Sequence, residues 1–204
     1  MLWAELAFAA ILQSQSRRGL VYLEKARRSC PEKNAEALIG RIYSMSASLH
    51  RIAGNLHEAL AASENAAEVL GSSRESSLAC SAYSMLGHIL ATLGRFPFAI
   101  QKHAQAVALS DKSRSVVLRS QALANLAECL CRMGRVLEAA NAAELAEKSV
   151  REANNPAISY AFNTILAEIK LAAGDYQGAH RVVARLDQDA KHNQAAYIVG
   201  HALY

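Results

Sequence analysis

Proline and glycine are scarce in this chain, with only 3 and 10 of its 204 residues. Both residues supply the tight turns of β proteins, so their scarcity argues against an all-β fold. No β-branched run with strict alternation stands out, whereas alanine, leucine, glutamate and arginine, which favour helices, are abundant. The sequence therefore predicts an all-α protein.

Cysteine is sparse too, with four residues at Cys30, Cys80, Cys129 and Cys131. They are too few and too scattered for a disulfide scaffold, which indicates a reducing compartment. The apolar start, residues 1–12, is too short to span a bilayer, and no basic segment precedes it as in a signal peptide. We therefore expect a cytoplasmic protein, or alternatively a nuclear one, with no membrane partner.

No large excess of one charge is present, because 22 Lys and Arg stand against 18 Asp and Glu. The one basic cluster, within residues 17–33, is interrupted by Glu24 and Glu32 and contains no aromatic residue except Tyr22. Nucleic-acid binding usually combines a basic surface with stacking platforms. We therefore do not expect nucleic acid as a partner.

Sequence patterns of catalytic and metal sites are missing as well. There is no glycine-rich phosphate loop and no Gly-x-Ser-x-Gly motif. The thiols of "CLC" at 129–131 do not share a helix face, and "HEAL" at 57–60 lacks the second histidine of a zinc-binding helix. The sequence predicts a non-enzymatic protein with no metal and no cofactor.

What the sequence does contain is a period of 40 residues. A glycine recurs at Gly54, Gly94, Gly134 and Gly174. An apolar residue follows two positions later, at Leu56, Phe96, Val136 and Tyr176. An alanine follows five positions later, at Ala59, Ala99, Ala139 and Ala179. A period kept without slippage over four copies indicates a repeat protein.

Apolar residues recur at helical spacing on both sides of each glycine, as in 80–93 and 95–109. We therefore predict two antiparallel helices joined at the glycine, which takes a conformation without a Cβ penalty. The alanines should be buried where the helices meet, and the apolar residues should fill the space beside the turn. Polar segments such as 110–115, 151–157 and 188–193 are expected to link successive hairpins and cap helices.

The repeat resembles the tetratricopeptide repeat (TPR). The copy that matches best contains Tyr83, Leu86, Gly87, Gly94, Phe96, Ala99 and Ala106. The usual TPR unit has about 34 residues, and the longer spacing here is similar to that of Leu-Gly-Asn-repeat adaptors and of the helical arms of STAND-type regulators. The resemblance implies an all-α, right-handed α-solenoid of about five stacked helix–turn–helix repeats plus a final helix.

We expect residues 1–204 to form a single TPR-like domain, as a fragment of a longer protein. The repeats are predicted at 1–30, 34–70, 75–110, 115–151 and 157–187, with a terminal helix at 192–204. The apolar end of this helix would be covered by further repeats, by a partner, or by a second copy of the chain.

In TPR proteins the first helices of the repeats line a concave groove, and the resemblance carries that role to the matching positions here. The predicted groove consists of Arg41, Ser44, Met45, Ser48, Arg51, Ser81, Ser84, Met85, His88, Gln121, Asn125, Glu128, Arg132, Thr164 and Glu168. We expect its methionines to contact apolar anchors and its Ser and Asn side chains to bond a peptide backbone. The alternative for these residues is packing alone.

The predicted function is a protein–protein interaction scaffold that binds a peptide or helix of a partner protein in this groove. The arginines of the groove, Arg41, Arg51 and Arg132, would favour an acidic segment. Glu128 and Glu168 would shift that preference toward a basic one at the far end. The alternative function is a sensor or regulatory arm of a larger signalling or transcription-regulatory protein.

Overall fold

The computed structural model describes residues 2–30, 35–72 and 75–192, and these ranges contain ten α-helices and no β-strand. The predicted all-α fold is therefore confirmed. The helices are α1 (Leu2–Leu12), α2 (Ser16–Arg28), α3 (Glu36–Ile52), α4 (Leu56–Gly71), α5 (Ser76–Thr92), α6 (Phe96–Ser113), α7 (Val116–Arg132), α8 (Val136–Ala153), α9 (Pro156–Ala172) and α10 (Tyr176–His192). The terminal helix expected at 192–204 lies outside the described residues, apart from His192.

The helices form two compact units, one up to Ser113 and one from Arg114 onward. In the first unit α1 packs on α2, α3 on α4 and α5 on α6, and neighbouring pairs meet through α2 with α3 and through α4 with α5. In the second unit α7 packs on α8 and α9 on α10, while α9 also contacts both α7 and α8. Each unit is thus a stack of helical hairpins. The single domain expected over 1–204 stays a prediction.

A glycine with a left-handed backbone joins the helices of the four hairpins from α3 onward. The φ angle is 79° at Gly54, 73° at Gly94, 73° at Gly134 and 77° at Gly174. At Gly94 the N–H donates to the Ala91 carbonyl at 2.9 Å, and the Arg95 N–H donates to the Leu90 carbonyl at 2.8 Å. These are the two bonds of a Schellman motif. A Cβ on any of the four glycines would meet nothing within 4 Å, so the backbone alone requires glycine.

The hairpin of α1 and α2 makes a similar turn without glycine. Ser14, 40 residues before Gly54, has a φ of 54°. The Gln15 N–H donates to the Ala10 carbonyl at 2.8 Å, as in the other turns. Because a left-handed conformation costs about 1–2 kcal/mol in a residue with a Cβ, this first hairpin keeps its turn under strain.

The alanines that follow the hinges are buried as predicted. Their exposed fractions are 0% for Ala59, Ala99 and Ala139 and 2% for Ala179. The apolar residues Leu56, Phe96 and Val136 are half-buried. Tyr176 is 71% exposed, so the prediction that it fills the space beside the turn is wrong. Tyr176 begins α10, and no helix in the described ranges packs beyond α10.

All three polar segments named as expected links are partly helical, since α8 continues to Ala153 and α9 begins at Pro156 within 151–157. Helix α6 continues to Ser113 and α10 continues to His192, so 110–113 and 188–192 belong to helices. The predicted caps are present at two residues of these segments. The Ser115 Oγ accepts a hydrogen bond from the Leu118 N–H at 3.3 Å, and the Asn155 Oδ1 accepts one from the Ala157 N–H at 3.0 Å.

One hairpin differs from the others where α5 meets α6. His103 on α6 is 1% exposed, and the residues 40 positions before and after it are Ser63 and Ala143. Its ring lies against Gly87 on α5, since a Cβ on Gly87 would lie 2.6 Å from the His103 Cε1. The corresponding residues in the other hairpins are Ala47, Ala127 and Ala167. A larger side chain on one helix is therefore accompanied by a smaller one on its partner.

Candidate functional site

In the first unit the predicted groove residues lie on α3 and α5, which pack against each other. Arg41 and Ser81 are exposed. The half-buried members are Ser44, Met45, Ser48, Arg51, Ser84, Met85 and His88. The structure therefore brings these nine positions together on two neighbouring first helices.

The hydroxyl groups on this surface donate back to their own helices. The Ser44 Oγ donates to the Gly40 carbonyl at 3.0 Å, and the Ser48 Oγ donates to the Ser44 carbonyl at 3.2 Å. The Ser81 Oγ donates to the Ser77 carbonyl at 3.1 Å. Each hydroxyl has one proton to donate, so what it offers a ligand in this rotamer is acceptor lone pairs.

The two methionines are shared between surface and core. Met45 packs against a buried cluster that includes Leu23 and Leu49, and Met85 packs against one that includes Ile89. Part of each thioether chain is therefore committed to packing within the first unit. The remainder of each half-buried side chain is accessible to an apolar ligand group.

Arg51 is less suited to a simple charge contact than Arg41. Burial lowers the pKa of the Arg51 guanidinium from its ordinary value, because a cation is disfavoured away from water. Arg41 is exposed on the same helix. Replacing Arg41 with an acidic residue therefore changes the charge of the exposed surface without placing a charge at a buried position.

In the second unit the predicted groove residues lie on α7 and α9, which also contact each other. Gln121, Asn125 and Glu128 are half-buried on α7. Arg132 at the end of α7 is exposed, as are Thr164 and Glu168 on α9.

Glu128 is the centre of a small electrostatic cluster. Its Oε1 lies 2.9 Å from the Arg132 Nη2, one helical turn away. Burial raises the pKa of the Glu128 carboxyl, the charge of Arg132 opposes the rise, and the charge of Glu168 adds to it. Glu128 and Glu168, from α7 and α9, are thus close enough to influence each other.

Asn125 lies three residues before Glu128, on the same side of α7. Its Oδ1 is buried and accepts no hydrogen bond from any residue that the structure describes. A buried carbonyl oxygen without a partner is disfavoured by about 1–3 kcal/mol. A ligand N–H that reached this oxygen would remove that penalty.

The buried thiols and histidine of the chain are not set up for catalysis. Burial raises the pKa of Cys80 to about 11 and that of Cys129 to about 12, so both are protonated thiols near neutral pH. Burial, with a smaller effect of His88, lowers the pKa of His103 to about 3. Among the described residues no three His, Cys, Asp or Glu side chains gather as a metal site, and no helix is long and apolar enough to cross a bilayer.

The structure also contains two clefts that the sequence-based interpretation missed. The first, the Tyr83 cleft, lies in the first unit between α4 and α6, with α5 as its floor, and has a volume of about 450 Å³. Tyr83, Leu86 and Leu90 form its floor, and Phe98 stands at its edge. The Phe98 side chain is 60% exposed.

Charges of opposite sign line the two walls of the Tyr83 cleft. Glu64 and Glu68 lie on the α4 wall, and Arg95 and Lys102 lie on the α6 wall. The Lys102 Nζ lies 5.5 Å from the centre of the Tyr83 ring. Within residues 2–30, 35–72 and 75–192, none of these four charged groups forms an ion pair.

The second cleft, the Lys170 cleft, lies in the second unit between α8 and α10 over α9, with a volume of about 430 Å³. It lies 80 residues further along, so that Glu144 corresponds to Glu64. The positions of Tyr83, Arg95, Phe98 and Lys102 are taken by Asn163, Asp175, Gly178 and Val182. The Lys170 Nζ and the Asp175 Oδ2 are 2.9 Å apart, so these two charges of the cleft are paired with each other. The recurrence of glutamate at 64 and 144 is the signal in the sequence that could have indicated both clefts.

No protein-family model matches the chain, and no curated protein is significantly similar in sequence. Solved structures are similar in fold. A Podosopora anserina protein named as a kinesin light chain, with nearly identical TPR-like repeats, aligns at 17% identity over 94% of both chains, with a TM-score of 0.72. A Rap protein complexed with competence and sporulation factor aligns at 17% identity, over 98% of this chain and 54% of the Rap chain, with a TM-score of 0.76. YrrB, a TPR protein with an unusual peptide-binding site, aligns at 16% identity over 98% of this chain and 89% of its own, with a TM-score of 0.54. At such low identity these similarities show the fold alone: this chain has the TPR-like, all-helical repeat fold.

Proposed function

We propose that the chain is a non-enzymatic interaction scaffold that binds a peptide or helix of a partner protein along the predicted groove. The observation that carries the proposal is the buried, unpartnered Oδ1 of Asn125 on the groove face of α7. Peptide backbone offers N–H donors at regular intervals, which is the chemistry that this oxygen lacks. A ligand that donates to this oxygen, once the Asn125 side chain has rotated toward the surface, recovers an interaction that the free protein leaves unmade.

The neighbouring charges support the same surface. Glu128 lies three residues after Asn125 on α7, and Glu168 lies on α9. Repulsion between the two carboxylates contributes to the raised pKa of Glu128. A basic side chain of the ligand would relieve that repulsion, because an opposite charge favours the ionised carboxylate. On α3 the exposed Arg41 would instead attract an acidic segment.

The solved structures of similar fold include a Rap protein bound to competence and sporulation factor and YrrB with its peptide-binding site. These contacts belong to those proteins, and they support the proposal only as examples of ligand binding on a similar fold. The protonated state of Cys80 and Cys129 supports a non-enzymatic role, because a protonated thiol is a poor nucleophile. Four unpaired cysteines support a cytoplasmic location.

A second candidate function is that of a sensor or regulatory arm within a larger signalling protein. It is favoured by the alignment with the Rap protein, in which this whole chain corresponds to only 54% of the other. The resemblance in repeat length to Leu-Gly-Asn-repeat adaptors and to STAND-type regulators does not choose between the two candidates. In both candidate functions the ligand binds in the groove. They differ in whether the chain acts as a scaffold or as an arm of a larger signalling protein.

The test begins with selection of peptides from a displayed random library on the purified chain, followed by calorimetric titration of the selected peptide. We expect Asn125→Ala to weaken that peptide about 3- to 10-fold, as for loss of one hydrogen bond. The matched control is Asn141→Ala, because Asn141 is an exposed asparagine on α8. The Arg41→Glu variant should weaken an acidic peptide and reduce the salt dependence of its binding.

Two results would overturn the proposal. One is that no peptide is selected at any accessible concentration. The other is that Asn125→Ala and Asn141→Ala bind the selected peptide with equal affinity, which would place the ligand away from α7.

A further inference from the structure

We propose that the Tyr83 cleft is a second, separate binding site, which accepts an aromatic side chain of a partner protein segment that carries an acidic and a basic residue beside it. The cleft is formed by α4, α5 and α6, and only its floor belongs to a first helix. None of its lining residues is among the predicted groove positions.

The chemistry of the floor and edge selects the anchor. Phe98 is an aromatic side chain left 60% exposed beside the apolar floor residues Leu86 and Leu90. A ligand ring placed between Phe98 and Tyr83 would bury apolar area on both faces. The Lys102 ammonium, already over the Tyr83 ring, would lie near the ligand ring as well, and cations favour aromatic faces.

The charged side chains on the two walls of the cleft determine which ligand residues fit beside the aromatic anchor. Arg95 and Lys102 on one wall and Glu64 and Glu68 on the other form no ion pairs within the described chain. A segment with one carboxylate and one ammonium on opposite sides of its anchor pairs with both walls at once. A segment of a single charge would pair with one wall and be repelled by the other.

The Lys170 cleft is similar in size to the Tyr83 cleft but lacks its aromatic residues. It has nearly the same volume and the same arrangement of three helices. No aromatic side chain lines it, although it also has glutamates on the α8 wall and arginines on the α10 wall. The two clefts therefore differ in their aromatic residues at similar volume, and the aromatic anchor is expected at the first one only.

The probe is a short synthetic peptide with a central tryptophan, one lysine on one side and one glutamate on the other. Its affinity is measured from the fluorescence anisotropy of a dye-labelled copy and from amide shifts of the full chain. Replacing the tryptophan with alanine should weaken binding by about 10-fold or more, as for burial of a large apolar side chain. Replacing both flanking charges with serine should weaken it by about 2- to 5-fold, as for exposed ion pairs.

The protein variants localise the site. Phe98→Ala should weaken the tryptophan peptide about 10-fold. Its matched control is Leu137→Ala, since Leu137 is an apolar side chain, 83% exposed, that lines neither cleft. Both residues are exposed, so neither variant should unfold the chain.

The proposal is overturned if the tryptophan and alanine peptides bind equally, if neither binds at millimolar concentration, or if Leu137→Ala weakens binding as much as Phe98→Ala. It is also overturned as a separate site if the peptide selected for the groove displaces the tryptophan peptide. If the groove peptide does not displace the tryptophan peptide and Phe98→Ala weakens binding as expected, the separate site is supported. This holds whatever the result for Asn125→Ala.

Discussion

Replacing Gly87 with alanine tests the fit between α5 and α6. The new Cβ would lie 2.6 Å from the Cε1 of His103 and 2.8 Å from each ring nitrogen. Non-bonded heavy atoms prefer separations of about 3.5–4.0 Å, and the His103 ring is 1% exposed, so solvent offers it no adjacent space. Overpacking of this kind costs about 1–3 kcal/mol of the free energy of unfolding.

The opposing contribution is helix propensity. Alanine in a helix interior is about 1 kcal/mol more favourable than glycine. The single variant should therefore be destabilised by between ~0 and ~2 kcal/mol, which alone would decide little. In a His103→Ala background the ring is gone, and the same Gly87→Ala change should stabilise by about 1 kcal/mol. The coupling free energy between the two positions is then about 1–3 kcal/mol.

The assay is urea denaturation of the wild type, both single variants and the double variant, followed by far-UV circular dichroism at about pH 7.5, where histidine is neutral. A control cycle pairs Gly87→Ala with His180→Ala, since His180 is exposed in the other unit. The control should be additive within about 0.5 kcal/mol. If the coupling free energy between Gly87 and His103 were also no larger than about 0.5 kcal/mol, the close packing of the ring on the glycine would be refuted.

Three further changes in stability follow from the structure. Because burial lowers the pKa of His103 to about 3, the unfolded state takes up a proton below about 6.5 and the folded state does not. The wild type should lose about 2 kcal/mol between pH ~6.5 and pH ~5 that His103→Ala does not lose, measured by urea denaturation. Ser14→Gly should raise the free energy of unfolding by about 0.5–1 kcal/mol by relieving the left-handed backbone, measured by the same denaturation. Tyr176→Ala should change it by less than about 0.5 kcal/mol, whereas Phe96→Ala, at a half-buried position, should lower it by more than about 1 kcal/mol.

Each of these expectations has a clear opposite. An equal pH dependence in His103→Ala and wild type would mean that the ring titrates normally in the folded state. If Ser14→Gly lowered the free energy of unfolding, the Ser14 side chain would contribute more stability than its left-handed backbone costs. A large loss in Tyr176→Ala would mean that the tyrosine is covered in solution.

The parts of the fold that the sequence predicts are those that depend on local backbone geometry and on regular spacing. A left-handed turn favours glycine, so Gly54 and Gly94 indicate the hinge by residue type alone. A close helix pair needs a small residue, so Ala99 announces the buried contact. Both requirements recur at every copy, which is why the period predicts them.

The parts that the sequence does not predict depend on what lies beyond one hairpin. Tyr176 has the same position in its repeat as Phe96, yet it is exposed where Phe96 is half-buried, so the repeat position alone does not determine burial. At the candidate site, residue type shows that Ser44 can donate a hydrogen bond, but not that it donates to the Gly40 carbonyl. The Tyr83 cleft likewise requires three helices to be in place before its walls face each other.

Gly87 and His103 belong to the same hairpin, and this has a consequence for how such a chain changes over generations. Duplication of 76–113 would copy the unusual ring together with the space that receives it, whereas recombination between the two helices would separate them. Exchange of genetic material within the hairpin is therefore penalised, and exchange at its ends is not. For the hairpin of α5 and α6, a break at either end keeps the His103 ring and the space at Gly87 together.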